Sequence, residues 1–359
     1  MKVCVRHNSH GMALIMAMIA IFVLSALAAG FAISMKVETR LAQNAGSDQQ
    51  LLWLGRSGVE LARYVLSQQL TIPSEPYDSL NQIWAGGPGG IGETNSALSG
   101  LSLDHYPLGD GMVSVKIIDL ERKANINTAT APVIQQALTI MGVDANDISV
   151  VSDSIQDWID PDDLPRVAGA ESDYYQGLTV PYYAKNAPID DLPELMLIKG
   201  VTQEMYWGSN STNHIPSVFQ HKLGFGTAPG QAPDYPFGLV ELFTPISSGQ
   251  ININTADVNV LQLIPGVDAA AAADIIKYRA GPDGVEGTDD DTPFRNVNEV
   301  SATGLSPQFV SQLATLCTVR SHTFEVHVTA QIGDYQREYV AILFRNSGTD
   351  IQVLSFYWK

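Results

Sequence analysis

The residues best suited to chemistry are carboxylates crowded into loops. Asp283-Gly-Val-Glu-Gly-Thr-Asp-Asp-Asp291 places five carboxylates and two turn-forming glycines in nine residues. Calcium takes about six to eight oxygen ligands from carboxylates, carbonyls and water, and a flexible loop can supply them. Crowded carboxylates also repel one another unless a cation neutralises them. We therefore predict a calcium site whose ligands are Asp283, Asp289, Asp290 and Asp291, with Glu286 or Glu299 in addition. The spacing is not that of an EF-hand, so a solvated acidic loop is the alternative.

A second, weaker calcium site is predicted in an earlier acidic stretch. Its candidate ligands are Asp160, Asp162, Asp163, Glu171 and Asp173.

Motifs for other chemistry are missing from the sequence. The seven histidines lack the spacing of a zinc site. The chain has no GxSxG elbow, no HExxH and no phosphate-binding loop. Asp157, Asp160 and Asp162 could supply a carboxylate pair for glycoside hydrolysis, but acidic residues beside Pro161 fit the end of a helix and a loop better. The sequence therefore predicts a protein that is not an enzyme, with a membrane-tethered hydrolase as a minor alternative.

An apolar segment decides where these loops lie. Met12 to Met35 are 24 residues without a charge, and they follow an 11-residue leader that contains Lys2 and Arg6. As a helix this segment spans ~36 Å, enough for the hydrocarbon core of a bilayer. The basic leader favours a cytoplasmic N-terminus, which places everything after Lys36 across the membrane.

The boundary of this segment differs from that of a secretory signal. A signal peptide has a shorter apolar core and a small-residue cleavage site on its far side, whereas Gly11 stands on the near side. A polar leader that ends in glycine and precedes an apolar helix resembles the type IV prepilin class, which is cut after the glycine. A plain N-terminal anchor is the alternative. The pattern predicts one helix from Met12 to Gln69, with its outer half packed on a globular domain and a firm stop at Pro73.

Composition indicates an exported, acidic protein with more than one domain. The chain has 359 residues, 45% of them hydrophobic, and a formal net charge of −18. Removing Lys2 and Arg6 with the leader leaves 18 basic against 38 acidic residues, or −20. Such a body should be repelled by phosphate backbones and anionic lipid, so a nucleic-acid partner is not expected. Cys4 lies in the leader and only Cys317 remains, so no intramolecular disulfide is predicted.

The body reads as strands separated by a long helical block. Residues 112–119 alternate as a strand, and three strand-like runs follow Thr323, the first two joined around Gly333. Between them Asn-Ile-Asn-Thr-Ala occurs twice, from Asn125 and from Asn252, each time before a helix, a Gly-Val turn and a second helix. An asparagine or threonine there could cap the helix. The pattern resembles the helix-hairpin-helix motif of DNA-binding proteins, but each copy is followed by acidic residues, so packing is the favoured role.

The ordered set of motifs resembles one family over nearly the entire chain, the type II secretion minor pseudopilin GspK family (general secretion pathway protein K). After the prepilin-like segment, the motifs that carry the resemblance are Trp84-Ala, the first Asn-Ile-Asn-Thr-Ala, DWIDPDD at 157–163, GAESDYY at 169–175, LPELMLIKGV at 192–201, and ININTA, LIPGV and IIKYR between 251 and 279.

The resemblance implies an α+β fold, in which a long N-terminal transmembrane helix packs on a pilin-like antiparallel sheet interrupted by a large α-helical domain. It implies cleavage between Gly11 and Met12, N-methylation of Met12, and a place at the pseudopilus tip. Major pilins carry glutamate at the fifth residue after cleavage, where this chain has Met16. A subunit without that acid needs no partner above it. The predicted divisions are leader 1–11, transmembrane helix 12–35, helix continuation 36–69, first part of the pilin-like domain 70–124, helical domain 125–319 and final strands 320–359.

The resemblance also implies partners and a location. The expected partners are other minor pseudopilins, the major pseudopilin, the prepilin peptidase and the inner-membrane assembly platform. The protein would be a single-pass inner-membrane protein with its globular part in the periplasm. Calcium in loops of related pseudopilins supports the predicted metal sites. A minor pilin of a type IV pilus or competence system, with DNA contact through the hairpins, is the alternative.

Overall fold

The N-terminal helix is the longest element of the protein. The computed structural model describes residues 10–90, 92, 96–209 and 235–359. Residues 1–9, with the basic leader side chains, lie outside the described residues, as do residues 210–234 of the predicted helical domain. Helix α1 runs from His10 to Gln69 without a break, which confirms the predicted continuous helix and its end at Gln69.

The outer half of α1 packs closely on a sheet. Among the side chains of α1 that the structure describes, the buried ones begin at Leu51, while Val37 and Leu41, which the apolar pattern included, are exposed. Gly55 and Gly58 are the points of closest approach. A Cβ atom at Gly55 would lie 2.4 Å from Tyr339 Cδ2, and one at Gly58 would lie 2.4 Å from Val328 Cγ1. The sheet side chains thus occupy the space that a larger residue would need, so these glycines serve close packing.

The sheet has five antiparallel strands in the order β1-β2-β7-β8-β9. Strand β2 pairs directly with β7, from Met112 opposite Gln331 to Asp119 opposite Phe324. The predicted turn between the first two C-terminal strands is confirmed at Gly333, whose φ of 56° favours glycine. The strands are β1 Tyr106–Leu108, β2 Gly111–Asp119, β7 Thr323–Ile332, β8 Tyr335–Arg345 and β9 Ile351–Trp358.

A helical block is inserted between β2 and β7, which confirms the predicted fold class. The numerical domain boundaries stay predictions. Short strand pairs close the block, since β3 pairs in parallel with β4 and β5 with β6. The block consists of β3 Ala124–Asn125, α2 Ala131–Met141, α3 Ala145–Ile159, α4 Ser172–Gln176, α5 Gln203–Trp207, α6 Leu239–Leu242, β4 Phe243–Thr244, β5 Ile251–Asn252, α7 Val258–Leu261, α8 Ala269–Arg279, α9 Pro307–Leu316 and β6 Cys317–Thr318, with 3₁₀ helices at Leu192–Leu197 and Val297–Thr303.

The two Asn-Ile-Asn-Thr-Ala copies have the same local structure. The side-chain amide of Asn127 donates to the Ile189 carbonyl (2.9 Å) and accepts from the Ile189 amide (2.7 Å). Asn254 makes the same pair of bonds with the backbone of Phe294, both at 2.9 Å. In each copy the second asparagine therefore ties its hairpin to a later loop of the same repeat.

The predicted capping role of these motifs is wrong. Asp257, directly after the second copy, accepts from the amides of Asn259 and Val260 and so caps α7. Thr130 stands at the N-cap of α2 but makes no side-chain cap bond. The first asparagines instead close their own turns, because Asn125 and Asn252 each accept the amide two residues later.

Buried charges lie where α1, the sheet and the helical block meet. Asn252 of the block donates to the Asp119 carboxylate at the end of β2 (3.1 Å) and to the Ser321 hydroxyl before β7 (2.8 Å). Arg345, at the end of β8, contacts the carboxylate of Asp78. Burial, and after it the charge of Glu121, raises the pKa of Asp119 to about 7. This network fixes the block on the sheet.

Candidate functional site

The first candidate site is the exposed half of α1. Residues Met12–Thr39 form a helical segment of 28 residues, long and apolar enough to cross a membrane, and none of its most apolar window is buried in the protein. At the standard rise 28 residues span ~42 Å. Met16, the predicted tip determinant, lies in this segment with its side chain exposed. Met12 lies at the segment's start, one residue after Gly11, within the helix.

The second candidate site is the acidic loop that follows α3. Here Asp160, Asp162 and Glu171 each place a carboxylate oxygen so that the three atoms lie within 4.8 Å of one another. Within the residues described by the structure, no other group of three potential metal ligands converges in this way. Of the five residues predicted for the weaker calcium site, these three are brought together. Asp163 instead accepts from the side chain of Asn186 (3.1 Å), and Asp173 is outside the group.

Glu171 is the unusual member of this cluster. Its side chain is only 3% exposed, and neither carboxylate oxygen has a hydrogen-bond partner. Burial, followed by the negative charges of Asp157 and Asp160, raises its pKa to about 7. A buried carboxylate without a donor is costly. A bound cation would remove that cost and favour the ionised form, so the residues present fit a hard divalent ion such as calcium.

Arg166 organises the other side of the loop and was missed by sequence reasoning. Its Nη1 atom lies 2.7 Å from Asp157 Oδ1 and 2.5 Å from Asp160 Oδ2. Asp157 is fully buried, and a Cβ atom at Gly169 would lie 1.9 Å from its Oδ2. One guanidinium therefore holds Asp157 and Asp160, two of the three carboxylates considered for hydrolysis.

The acidic loop predicted as the stronger site is arranged differently. The Asp290 carboxylate accepts from the Thr288 hydroxyl (2.7 Å) and from the Asp283 amide (3.1 Å). Asp291 accepts from the amide of Gly287 (2.8 Å), and Glu286 pairs with Arg279 at 2.5 Å. These carboxylates are engaged within the loop, and the five predicted ligands do not form a converging group of three. Glu299 is also engaged, since it accepts from the backbone of Arg295 and the side chain of Asn296.

At the hairpin turns several polar groups are already engaged within the protein. Arg279 is buried and donates to the carbonyls of Ile253 (2.5 Å) and Ala256 (2.6 Å), so it cannot reach a phosphate. At the second turn the Asp268 carboxylate caps α8, which places negative charge where phosphate would bind. At the first turn the Gly142 amide is already donated to α2. Packing stays the predicted role of both hairpins.

Comparisons with known families agree with this architecture. Residues 114–208 match the family model described as type II secretion system (T2SS), protein K, and residues 247–317 match the helix-hairpin-helix motif. The second match covers the repeat that begins at Asn252.

Individual relatives extend the similarity to the full length. The type II secretion system protein K of Pseudomonas aeruginosa is 24% identical over 98% of this chain and 93% of the relative. The protein of the same name from Aeromonas hydrophila is 25% identical over 55% of this chain, and the alignment spans 60% of that relative.

A solved structure shares the fold. The chain is similar to one in the crystal structure of the GspK-GspI-GspJ complex from enterotoxigenic Escherichia coli, with a TM-score of 0.61 at 20% identity over 89% of this chain and 99% of the other. The family model, the length-spanning relative and the shared fold agree: the chain is similar to the protein K of type II secretion systems over nearly its full length.

Proposed function

We propose that this chain is the minor pseudopilin that forms or caps the tip of the periplasmic pseudopilus and helps to start its assembly for protein export. The observation that carries the proposal is α1, a single helix of 60 residues. Its first half is exposed and apolar, and its second half packs on the sheet of the globular part of the protein, which we call the head. The prepilin peptidase would cut between Gly11 and Met12, and Met12 would be N-methylated. The protein would stay in the inner membrane with its head in the periplasm.

Two features support a place at the tip rather than in the shaft. The large helical block, inserted between β2 and β7, would crowd a helical stack of subunits but fits at its end. At Met16 the chain has no carboxylate to pair with the amine of a neighbouring subunit, and such a pair would fix register strongly in lipid. Small residues such as Ala28 and Ala32 allow close helix approach within the bilayer.

The proposed partners follow from the family. The E. coli neighbour forms a complex with GspI and GspJ, and we expect this chain to bind the corresponding smaller minor pseudopilins. It would also meet the major pseudopilin and the assembly platform. Its role is assembly by packed helices and surfaces, without turnover of a substrate.

The proposal is tested by affinity purification of the tagged full chain from membranes of a strain that makes its own secretion system. We expect the minor pseudopilins to co-purify in a fixed ratio, and we expect deletion of the gene to abolish export of the secreted enzymes. Salt-sensitive DNA binding without these partners, together with intact export, would contradict the proposal.

We also propose that one calcium ion binds to the carboxylates of Asp160, Asp162 and Glu171 and stabilises the globular part of the protein. Three carboxylates leave room for backbone carbonyls and water to complete the oxygen shell that calcium prefers. The ion would rigidify the loop between α3 and α4. Asp283, Glu286, Asp289, Asp290 and Asp291 remain a second candidate, weakened by the internal bonds of their loop.

Replacing Glu171 with glutamine is expected to remove most of the calcium-dependent stabilisation. Saturating calcium at about 100 times its Kd should stabilise the wild type by roughly 2.7 kcal/mol, seen as a higher melting temperature of the detergent-purified full chain. Without calcium the variant should be at least as stable as the wild type, because a buried unpaired charge is gone. Asp291→Asn is the matched control and should keep the calcium response. Loss of the response in Asp291→Asn, with retention in Glu171→Gln, would move the ion to the later loop.

A further inference from the structure

One histidine and two glutamates form a cluster on the face of the sheet that is turned away from α1. Val328 of β7 meets α1 at Gly58, so the side chain before it, His327, points to the opposite face. The His327 ring lies between two carboxylates. Its Nε2 atom is 2.5 Å from Glu325 Oε1, and its Nδ1 atom is 2.8 Å from Glu338 Oε1. We call Glu325, His327 and Glu338 the outer-face cluster.

These two contacts indicate the protonation state of the ring. A neutral imidazole carries one N–H, whereas the imidazolium carries two. His327 can therefore donate to both carboxylates only when it is doubly protonated. The bond to Glu325 raises the pKa of His327 above its ordinary value of 6.5, burial opposes that rise, and the bond to Glu338 adds to it. The bond from His327 in turn lowers the pKa of Glu325, so that this carboxylate is a charged acceptor.

Two apolar side chains of β8 lie on the same face, next to the cluster. Val340 is directly opposite His327, and Ile342 is directly opposite Glu325. The Cβ atoms of such pairs are ~4.5–5.5 Å apart. Val340 is 2% exposed and Ile342 is 8% exposed, although neither belongs to the two hydrophobic cores that the described residues form. Side chains of the outer-face cluster therefore contribute to keeping water away from both.

Water can reach the His327 ring from one side. A cavity of about 440 Å³ lies beside the ring, and Asp104, Lys116, Thr329 and Glu338 also line it. The side chain of His327 is 21% exposed and that of Glu338 is 39% exposed. The ring can therefore exchange a proton with solvent while the sheet stays folded.

The neighbouring elements bring further charged or titratable groups to this face. Lys116 lies opposite His327 and is exposed, so solvent screens its repulsion of the imidazolium. After the bond from His327, the charges of Lys123 and Lys359 also lower the pKa of Glu325. The full set is Lys116 of β2, Lys123 after β2, Tyr357 of β9 opposite Val340, Lys359 at the C-terminus, Asp104 in the cavity, and Asp191 of the helical block, whose charge reaches Tyr357. The lysines act on one carboxylate, whereas the ring connects two.

We propose that the outer-face cluster is a pH-sensitive clamp. The doubly protonated ring of His327 ties Glu325 of β7 to Glu338 of β8. When one ring nitrogen gives its proton to water, the neutral ring keeps one hydrogen bond and releases the other carboxylate. Val340 and Ile342 then become more exposed. The clamp goes beyond the proposed function, because it gives the surface of the head a response to acidity whatever the head assembles with.

The direction of the response follows from the raised pKa of His327. In the unfolded chain the ring loses its proton near the ordinary value of 6.5, and in the folded chain it does so at higher pH. The clamp therefore contributes its full stability below about pH 6.5 and loses it as the pH rises through the folded-state pKa. Acid closes the clamp and base opens it.

Deuterium exchange at the C2 carbon of histidine tests the first step, because its rate follows the protonation of the ring. The peptide that contains His327 is followed by mass spectrometry between about pH 5 and pH 8, in the detergent-purified full chain and again in urea. We expect the midpoint of the folded chain to lie above the midpoint in urea. A folded midpoint at or below the urea value would overturn the proposal.

Two variants show whether the carboxylates cause this shift. Glu338→Gln should move the folded midpoint down toward the urea value, because a neutral amide does not favour the charged ring as a carboxylate does. Asp334→Asn is the matched control. Asp334 is an exposed carboxylate in the turn between β7 and β8, and its loss should leave the midpoint in place. A midpoint that Glu338→Gln does not move would count against the clamp.

Hydroxyl-radical footprinting tests the opening, since it oxidises side chains according to their exposure. In the wild type, oxidation of Val340 and Ile342 should be low in acid and should rise as the pH passes the His327 midpoint. His327→Gln cannot carry the charge, so its oxidation should be high and independent of pH. Wild-type oxidation that does not change with pH, or a variant that follows the wild-type curve, would overturn the proposal. Both measurements use the purified chain and leave the proposed function untouched.

Discussion

Gly11→Asp is expected to leave the protein as an unprocessed precursor, eleven residues longer than the mature chain, and to abolish export. The proposed peptidase cuts after a residue with no side chain, and a carboxylate at this point would stand both in the cleavage site and beside the hydrocarbon. Retaining the leader also keeps Lys2 and Arg6 attached to the apolar helix. Drawing those charges through the bilayer would cost several kcal/mol, so the precursor should not join a filament.

Intact mass and N-terminal sequencing of membrane-purified protein measure this effect. The wild type should begin at Met12 and carry one methyl group on its amine, and the variant should begin at Met1. Gly46→Asp is the matched control, because Gly46 lies in the exposed part of α1 with open space around it. That variant should be processed normally. Normal maturation of Gly11→Asp would remove the prepilin assignment.

Much of the fold follows from local sequence patterns. The apolar run and the lack of proline up to Pro73 predict α1, and alternation predicts β2 and the three final strands. Gly55 and Gly58 weaken a helix in isolation, yet the sheet side chains packed against them explain their presence. The apolar spacing failed at Val37 and Leu41 because periodicity cannot tell a face that meets a sheet from one that meets solvent or another chain.

The sites were less predictable because they depend on how loops close. Counting carboxylates favoured Asp283 to Asp291, but backbone amides and Thr288 occupy the Asp290 and Asp291 carboxylates. In the earlier loop the carboxylates come together because Arg166 binds Asp157, nine residues before it in the chain. Glu171 is left without a hydrogen-bond donor. No spacing rule predicts that return. Charge pairs formed across the inserted block are equally hidden from local patterns.

The pair between Arg345 and Asp78 is such a case, and Arg345→Ala is expected to have the largest effect on stability. Arg345 is 1% exposed and its partner Asp78 is fully buried. The guanidinium also donates to the Ser321 carbonyl (2.6 Å) and lies 4.7 Å from the centroid of the Phe324 ring. Removing one partner of a buried pair costs about 3–5 kcal/mol, a large share of the roughly 5–15 kcal/mol that stabilises a typical protein.

Arg337→Ala is the matched control for this prediction. Arg337 lies on the same strand, but its pair with Asp48 is partly exposed to solvent, so its loss should cost at most about 1 kcal/mol. Urea unfolding of the full chain in detergent, followed by tryptophan fluorescence and circular dichroism, measures both. If Arg345→Ala lowered the free energy of unfolding no more than Arg337→Ala, the buried pair would not be what stabilises the contact between α1, the sheet and the helical block.

A double variant separates loss of the pair from loss of packing. In Arg345→Ala the Asp78 carboxylate is left buried near Asp119 and Glu121 without its cation, so adding Asp78→Ala should recover part of the lost stability. No recovery would mean that Arg345 acts through its contact with Phe324 instead. The same network joins the end of α1 to the sheet and the helical block. Partial unfolding there would therefore also detach the block from α1, the helix through which we expect the protein to join the filament. Export should therefore fall in Arg345→Ala even where some folded protein remains in the membrane.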